Sequence, residues 1–299
     1  MQINTIDNNF FRKEIVFFFI LYLSLLISFF FGENSTGGAI LDYTNQKQIS
    51  INFALDFKNS LLNYDEFSSR HSPVFIIILS FFEKIGFSDF AIRIIHLHVC
   101  LLLPIIFYNC LSVKFSLLDK KVFLLLTALI FLSPTFRSLS IWPDSRILGV
   151  TLFTLSIYFY LKFINDLKFK YAVANVICCA ICSYLSPNFS IFSVFFFFVF
   201  TLKLWPKLKN IILLIVLNLF LSFPAFYYIF FLEINFLNKS AAIGISEDEN
   251  ILFVNFFNSI ILSFSIFFFY LIPFLSTNII KINNYFNIKN ILISLLILI

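Results

Sequence analysis

The segment SPVFIIILSFFEK, residues 72–84, decides how this chain is threaded. Its apolar run, Pro73–Phe82, falls well short of the roughly 20 residues that a helix needs to cross a bilayer. The run is closed by Glu83, Lys84 and Gly86. If it does not cross, Arg12, Lys13, Lys114, Lys120, Lys121, Lys162, Lys168, Lys170, Lys203, Lys207, Lys209, Lys281 and Lys289 share the inner side, 13 of the 21 basic residues. If it does cross, every later loop flips and only 7 of the 21 remain inside. Loops rich in Lys and Arg stay cytoplasmic, so the segment reads as a juxtamembrane or re-entrant helix on the outer surface.

The rest of the chain requires a membrane. It has 299 residues, 60% of them hydrophobic and 12% charged, with a mean hydropathy of +0.95. A soluble domain carries about a quarter charged residues. Apolar runs at Ile15–Phe31, Phe90–Val113, Val122–Phe136, Ile147–Leu161, Tyr171–Leu185, Phe189–Leu204, Ile211–Leu232 and Ile251–Leu275 predict spans, and a last run covers Ile291–Ile299. The expected fold is all-α, a polytopic transmembrane helical bundle of 8 to 9 spans with a long first extracytoplasmic loop carrying juxtamembrane helices. Ile15–Phe31 follows Arg12 and Lys13 like a signal peptide, but no small-residue cleavage site comes after it, so it reads as a retained anchor.

Several function classes lose ground at once. The five cysteines, Cys100, Cys110, Cys178, Cys179 and Cys182, all fall in apolar segments, which argues against a disulfide framework or a zinc site. The net charge of +5 is spread over several loops and does not point to nucleic acid. There is no P-loop, dinucleotide fingerprint, HExxH or serine elbow.

The acidic residues were not used to choose the topology, yet they sort by side. Twelve of the 16, among them Glu33, Asp42, Asp56, Asp65, Glu66, Glu83, Asp89 and Asp144, fall outside. Chemistry that needs carboxylates therefore belongs to the outer face. Asp42 follows the first span by about ten residues, close to the membrane surface. Beyond it, Ile49, Phe53, Leu55, Phe57, Leu61 and Leu62 pattern the stretch Gln48–Leu62 as an amphipathic helix lying on the membrane. Arg70 and His71 precede Ser72–Pro73, which has the form of a helix start. Arg70 suits a phosphate, and His71 suits a metal or a phosphate. A second outer cluster, RSLSIWPDSR at 137–146, sets Asp144 between Arg137 and Arg146, although an Asp before a span also serves as a helix cap. Arg93, His96 and His98 lie near the outer end of their span, where ionisable groups are functional candidates.

The order of these motifs resembles the GT-C glycosyltransferases, in particular the protein mannosyltransferase and lipid A aminoarabinose transferase group. Those proteins have one span, a long outer loop with an acidic residue just after it (here Asp42), an HPPLY-like motif (here His71-Ser72-Pro73-Val74-Phe75) and a juxtamembrane helix. A Gly-x-Ser-x-Phe-Ala-x-Arg-like motif follows, here Gly86 to Arg93, then a Ser-Pro (Ser133-Pro134) ahead of a second outer acid, Asp144. The resemblance covers roughly residues 15–162. Tyr43 and Ser72 depart from the family pattern.

The resemblance implies an inverting transferase that uses a polyprenyl-phosphate-linked sugar donor and a glycan or lipid acceptor of the cell envelope, such as lipopolysaccharide. It implies Asp42 as general base, with Arg70, Arg137, Arg146, Arg93, His71 and Asp144 as substrate- or phosphate-binding candidates. A divalent metal ion held by His71 and Asp144 is compatible with it. Residues 1–232 would be the GT-C-like transmembrane catalytic module with its outer loop at 32–89, and residues 233–299 further transmembrane helices of a truncated or minimal carboxy-terminal part. Two other classes stay open: a transporter or flippase of lipid-linked sugars, and a non-catalytic relative. The Phe- and Asn-rich composition, with 47 phenylalanines, suggests an AT-rich bacterial genome, which would put the protein in the inner membrane with its amino terminus cytoplasmic and its outer face periplasmic.

Overall fold

A computed structural model describes residues 8–230 apart from 68, 70, 71, 118, 119 and 206, together with 261; side chains are described from residue 16 onward. These residues belong almost wholly to one compact unit, Met1–Lys239; a second unit, Ser240–Ile299, lies outside the described residues except for residue 261. The expected spans Ile251–Leu275 and Ile291–Ile299 fall there. Among the described residues the chain is helical throughout, with no strand.

α1 (Asn8–Phe30) ends at Gly32, whose φ of +63° supplies the left-handed turn that closes Glu33 N–H onto the Ser28 carbonyl. α2 (Ala39–Leu55) starts where the Asn34 side chain accepts from Ala39 N. α3 (Phe57–Leu62) is capped by Asp56, which accepts from Asn59 N. The amphipathic stretch expected at 48–62 is therefore two helices. The first begins nine residues earlier, which puts Asp42 in the first turn of a helix.

α4 (Pro73–Ile85) is the segment that decides the threading. Ser72 caps it, Pro73 needs no donor at its first turn, and Gly86 ends it with a φ of +85°. Its 13 residues span about 20 Å at 1.5 Å each, against a hydrocarbon core of about 30 Å. It does not have the length to cross. It packs along α2, and Phe75 and Leu79 cluster with Ile92 and Leu185.

α5 (Asp89–Cys100) and α6 (Leu102–Lys114) run on as one apolar segment of 26 residues. α7 (Lys120–Leu132) and α8 (Pro134–Ile141) meet at a 61° bend. Val122–Phe136 is therefore not one straight span. Ser133 caps α8 by accepting from Phe136 N, and Pro134 brings no N–H to continue α7. α9 (Ser145–Asp166), α10 (Phe169–Leu185), α11 (Ser190–Leu204) and α12 (Leu208–Phe230) complete the unit.

Four helical segments are long and apolar enough to cross a membrane, or five if the bent pair is one span: Asp89–Lys114, Ser145–Asp166, Pro187–Leu204 and Leu208–Phe230, with Lys120–Ile141 as the bent pair. Val16–Phe30 and Phe169–Leu185 are apolar but shorter. The described residues thus give a helical membrane protein with four or five segments of full crossing length, where seven of the expected spans fall.

The two largest of four apolar clusters hold most of the unit. Leu25, Phe29, Leu97, Cys100, Phe131, Phe136 and Ile141 join α1 to α5, α7 and α8. Phe163, Ala172, Cys182, Phe196, Phe200 and Leu214 join α9 to α10–α12. α9 links them, contributing Ile147 to the first and Phe163 to the second. Gly149 of α9 lets the helix approach the turn at Pro187–Phe189; a Cβ there would stand 3.1 Å from Ser186 Cβ and 3.3 Å from a Phe189 ring carbon. Most large apolar side chains of α11 and α12 point outward, among them Ile191, Val194, Phe198, Phe220 and Phe223, as lipid-facing helices require.

Candidate active site

α2 and the first turn of α9 meet through an arginine. Arg146 Nη2 donates to Asp42 Oδ2 at 2.6 Å and to Asp144 Oδ2 at 2.7 Å, while Arg146 Nε donates to Asp144 Oδ1 at 2.9 Å. Asp144 also caps α9, accepting from Arg146 N at 2.7 Å. The three charges differ in exposure: the Asp144 side chain is 2% accessible, Arg146 46% and Asp42 42%. The buried carboxylate fixes the guanidinium, and the guanidinium fixes the exposed carboxylate. Among the described residues, Asp42 Oδ1 and Arg146 Nη1 have no partner. The cluster thus offers one carboxylate oxygen that can accept a proton beside one guanidinium nitrogen that can bind an anion.

A second network adjoins it. Asp89, in the first turn of α5, receives Tyr43 Oη at 2.7 Å and Lys47 Nζ at 2.8 Å on Oδ1, and Arg93 stands 4.0 Å from Oδ2. Tyr43 and Lys47 are four residues apart on α2, and Asp89 and Arg93 four apart on α5, so one helical face presents two donors to the carboxylate on the other. Burial, with the Asp89 hydrogen bond and charge next, raises the Tyr43 phenol well above its ordinary range. Tyr43 therefore stays a donor at any physiological pH.

Arg93 stacks on Trp142 at 3.6 Å from the ring centroid and lies 4.9 Å from that of Phe29; its Nε donates to the Ile141 carbonyl. Trp142 in turn donates to the Glu33 carbonyl. Arg137 is committed elsewhere. Its Nε holds both Glu33 oxygens, at 2.9 and 3.1 Å, and its terminal nitrogens reach Ser24, Ser28 and the Phe131 carbonyl. Hydrogen bonds from Arg137 hold the Glu33 carboxyl below its usual range, against partial burial that would raise it; Ser28 and Ser35 add to the lowering. Arg137 is a latch between α1 and α8, and neither it nor Arg93 joins the Asp42–Arg146 cluster. His96 bonds the Leu139 carbonyl from inside the core. Arg70 and His71 lie outside the described residues.

No family model matches this sequence, and neither the curated proteins nor the solved structures contain a match to it.

Of the residues singled out from sequence, Asp42, Asp144 and Arg146 come together. Asp144 commits both oxygens to Arg146, and among the described residues no group of three His, Cys, Asp or Glu side chains is placed to hold a metal ion. Tyr43, Lys47, Asp89, Glu33 and Trp142 were not among the sequence-derived site residues. The paired four-residue spacings of Tyr43–Lys47 and Asp89–Arg93 were the available signal, since each marks one helical face.

Proposed function

We propose that this chain is a membrane glycosyltransferase that moves a sugar from a polyprenyl-phosphate donor to an acceptor hydroxyl of a cell-envelope glycan or lipid. One observation carries the reading: Arg146 is held between Asp42 and the buried Asp144, with Asp42 Oδ1 and Arg146 Nη1 left without a partner among the described residues.

Asp42 Oδ1 takes the proton of the acceptor hydroxyl as its oxygen attacks the anomeric carbon. The bond from that carbon to the phosphate oxygen breaks, with inversion, and the departing phosphate keeps the electron pair. Its developing charge meets Arg146 Nη1, a donor already oriented before the reaction. Asp144 positions Arg146 without touching substrate. The basic-residue distribution supports an extracytoplasmic site, with the amino terminus cytoplasmic and the protein in a bacterial inner membrane.

The test is transfer of a labelled sugar from its polyprenyl-phosphate by purified protein in nanodiscs. Asp42→Asn keeps the shape and the contact with Arg146 but loses the base, and is expected to lower the rate by about 10²–10⁴ with insertion unchanged. Unchanged transfer by Asp42→Asn removes Asp42 from the mechanism.

A further inference from the structure

α4 is apolar on two opposite sides. Phe75, Ile76 and Leu79 are buried, while Ile78, Phe81 and Ile85 are exposed. The exposed three recur at i, i+3 and i+7, so they form one stripe along the helix, and the described residues leave that stripe bare. A helix that is apolar all round needs cover on every side. At 13 residues, α4 is too short to find that cover by crossing a bilayer.

The chain on either side of the stripe says what the cover is. Three residues, Gly86 to Ser88, separate α4 from α5, so Ile85 lies within about 14 Å of Asp89. The link is drawn in further, because Gly86 N and Phe87 N donate back to the Glu83 and Phe82 carbonyls of α4. Asp89 opens the 26-residue apolar segment that is long enough to cross a membrane. The end of α4 is thus held near the level at which that segment begins. The stripe also continues into apolar surface there. The Phe82 ring lies 6.2 Å from that of Phe81 and 5.6 Å from that of Phe87. Three residues beyond Phe87, the exposed Phe90 packs on Phe30, itself exposed at the end of α1. Lys84, beside the stripe and exposed, is long enough to keep its ammonium in a headgroup layer.

We propose that α4 lies half-immersed in the leaflet at which α5 begins, with Ile78, Phe81 and Ile85 against lipid acyl chains and its opposite face on α2 and α10. This seat bears on the candidate site. Tyr43 donates to Asp89, so the first turns of α2 are tied to the level at which the span begins, and Asp42 beside Tyr43 stands near the lipid headgroups. The proposal rests neither on the transferase reading nor on which side of the membrane is outside.

The experiment uses the full chain in phosphatidylcholine vesicles, with a nitroxide label on Ile78→Cys, Phe81→Cys or Ile85→Cys. The native cysteines are buried and stay in place, with the unsubstituted protein as the blank. Oxygen concentrates in hydrocarbon and a nickel chelate stays in water, so their collision rates with the label report what surrounds it. The ratio of oxygen to nickel collisions is expected to shift from that of the same label on glutathione in the buffer toward that at Phe198→Cys, on the outward side of α11. A ratio that stays at the buffer value overturns the proposal, because the stripe is then solvated. So do rare collisions with both reagents, which would mean that protein covers the stripe, either residues 231 onward or a second copy. If one substituted chain fails to fold, the other two positions decide.

Discussion

Asp144 caps the helix that carries Arg146 and, with the same carboxylate, grips the Arg146 guanidinium. One buried side chain thus sets both where α9 begins and where its first charge points. Asp144→Ala is expected to cost about 2–3 kcal/mol, roughly 1 from the cap and the rest from the hydrogen bonds to a charged partner. Asp144→Ser keeps a capping oxygen but loses the charge, and should recover about 1 kcal/mol. Unfolding curves in micelles separate the two roles. Identical curves for Ala and Ser would show that the cap contributes nothing.

Tyr43 and Lys47 donate to the same oxygen of Asp89. Their removal should therefore be non-additive. Tyr43→Phe and Lys47→Met are each expected to destabilise by about 1 kcal/mol, and the double variant by more than the sum, because Asp89 then keeps only Arg93 at 4.0 Å. A double-mutant cycle measures the coupling, and a coupling energy of zero contradicts the shared acceptor.

The Glu33–Arg137 latch predicts a pH dependence. The Glu33 carboxyl is held below its ordinary value of about 4.5, chiefly by the Arg137 hydrogen bonds. A depressed carboxyl contributes its full stability above its unfolded value, and loses it as the pH falls through its folded value. Thermal unfolding of the unmodified protein should fall off as the pH is lowered below about 4.5. Glu33→Gln should lack that component of the fall while being less stable at pH 7. Parallel profiles for the two proteins would show that the latch does not titrate.

The proposed sidedness is open to labelling. Leu41, Lys84, Lys120 and Lys168 are exposed, and the native cysteines of the described residues are buried. With single cysteines placed at these positions in a cysteine-free background, a membrane-impermeant maleimide added to intact cells should label 41 and 84 and spare 120 and 168. Labelling of 120 and 168 instead would invert the topology and move the Asp42–Arg146 cluster to the cytoplasmic side.

The long apolar helices were legible because hydrophobicity alone specifies them: Phe90–Val113, Ile147–Leu161 and Phe189–Leu204 lie within helical segments of membrane-crossing length, and so does the expected span Ile211–Leu232 over its described residues, which end at Phe230. The bend at Ser133–Pro134 was less so, because the apolar run continues across it while Ser133 and Pro134 act on backbone hydrogen bonds that hydropathy does not register. In the site, Asp42, Asp144 and Arg146 were visible as isolated charges beside apolar runs. Their contact was not, since it spans 104 residues and depends on how α2 docks. Lys47 was hidden in a polar stretch and gained meaning only when α5 supplied Asp89.

The short helix α4 also constrains the order in which the protein can be made. Phe75 and Leu79 pack against Leu185, and Ile76 clusters with Tyr228. Leu185 leaves the ribosome about a hundred residues after Leu79, an interval on the order of 5–20 s at bacterial elongation speeds of about 5–20 residues per second. Tyr228 follows later still. Throughout that interval the apolar side of α4 is without its partners on α10 and α12, and only α2 and Ile92 of α5 are at hand to cover it. The helix is therefore translated early and its packing completed late, so a pause in synthesis between α6 and α10 would prolong the time it spends without those partners.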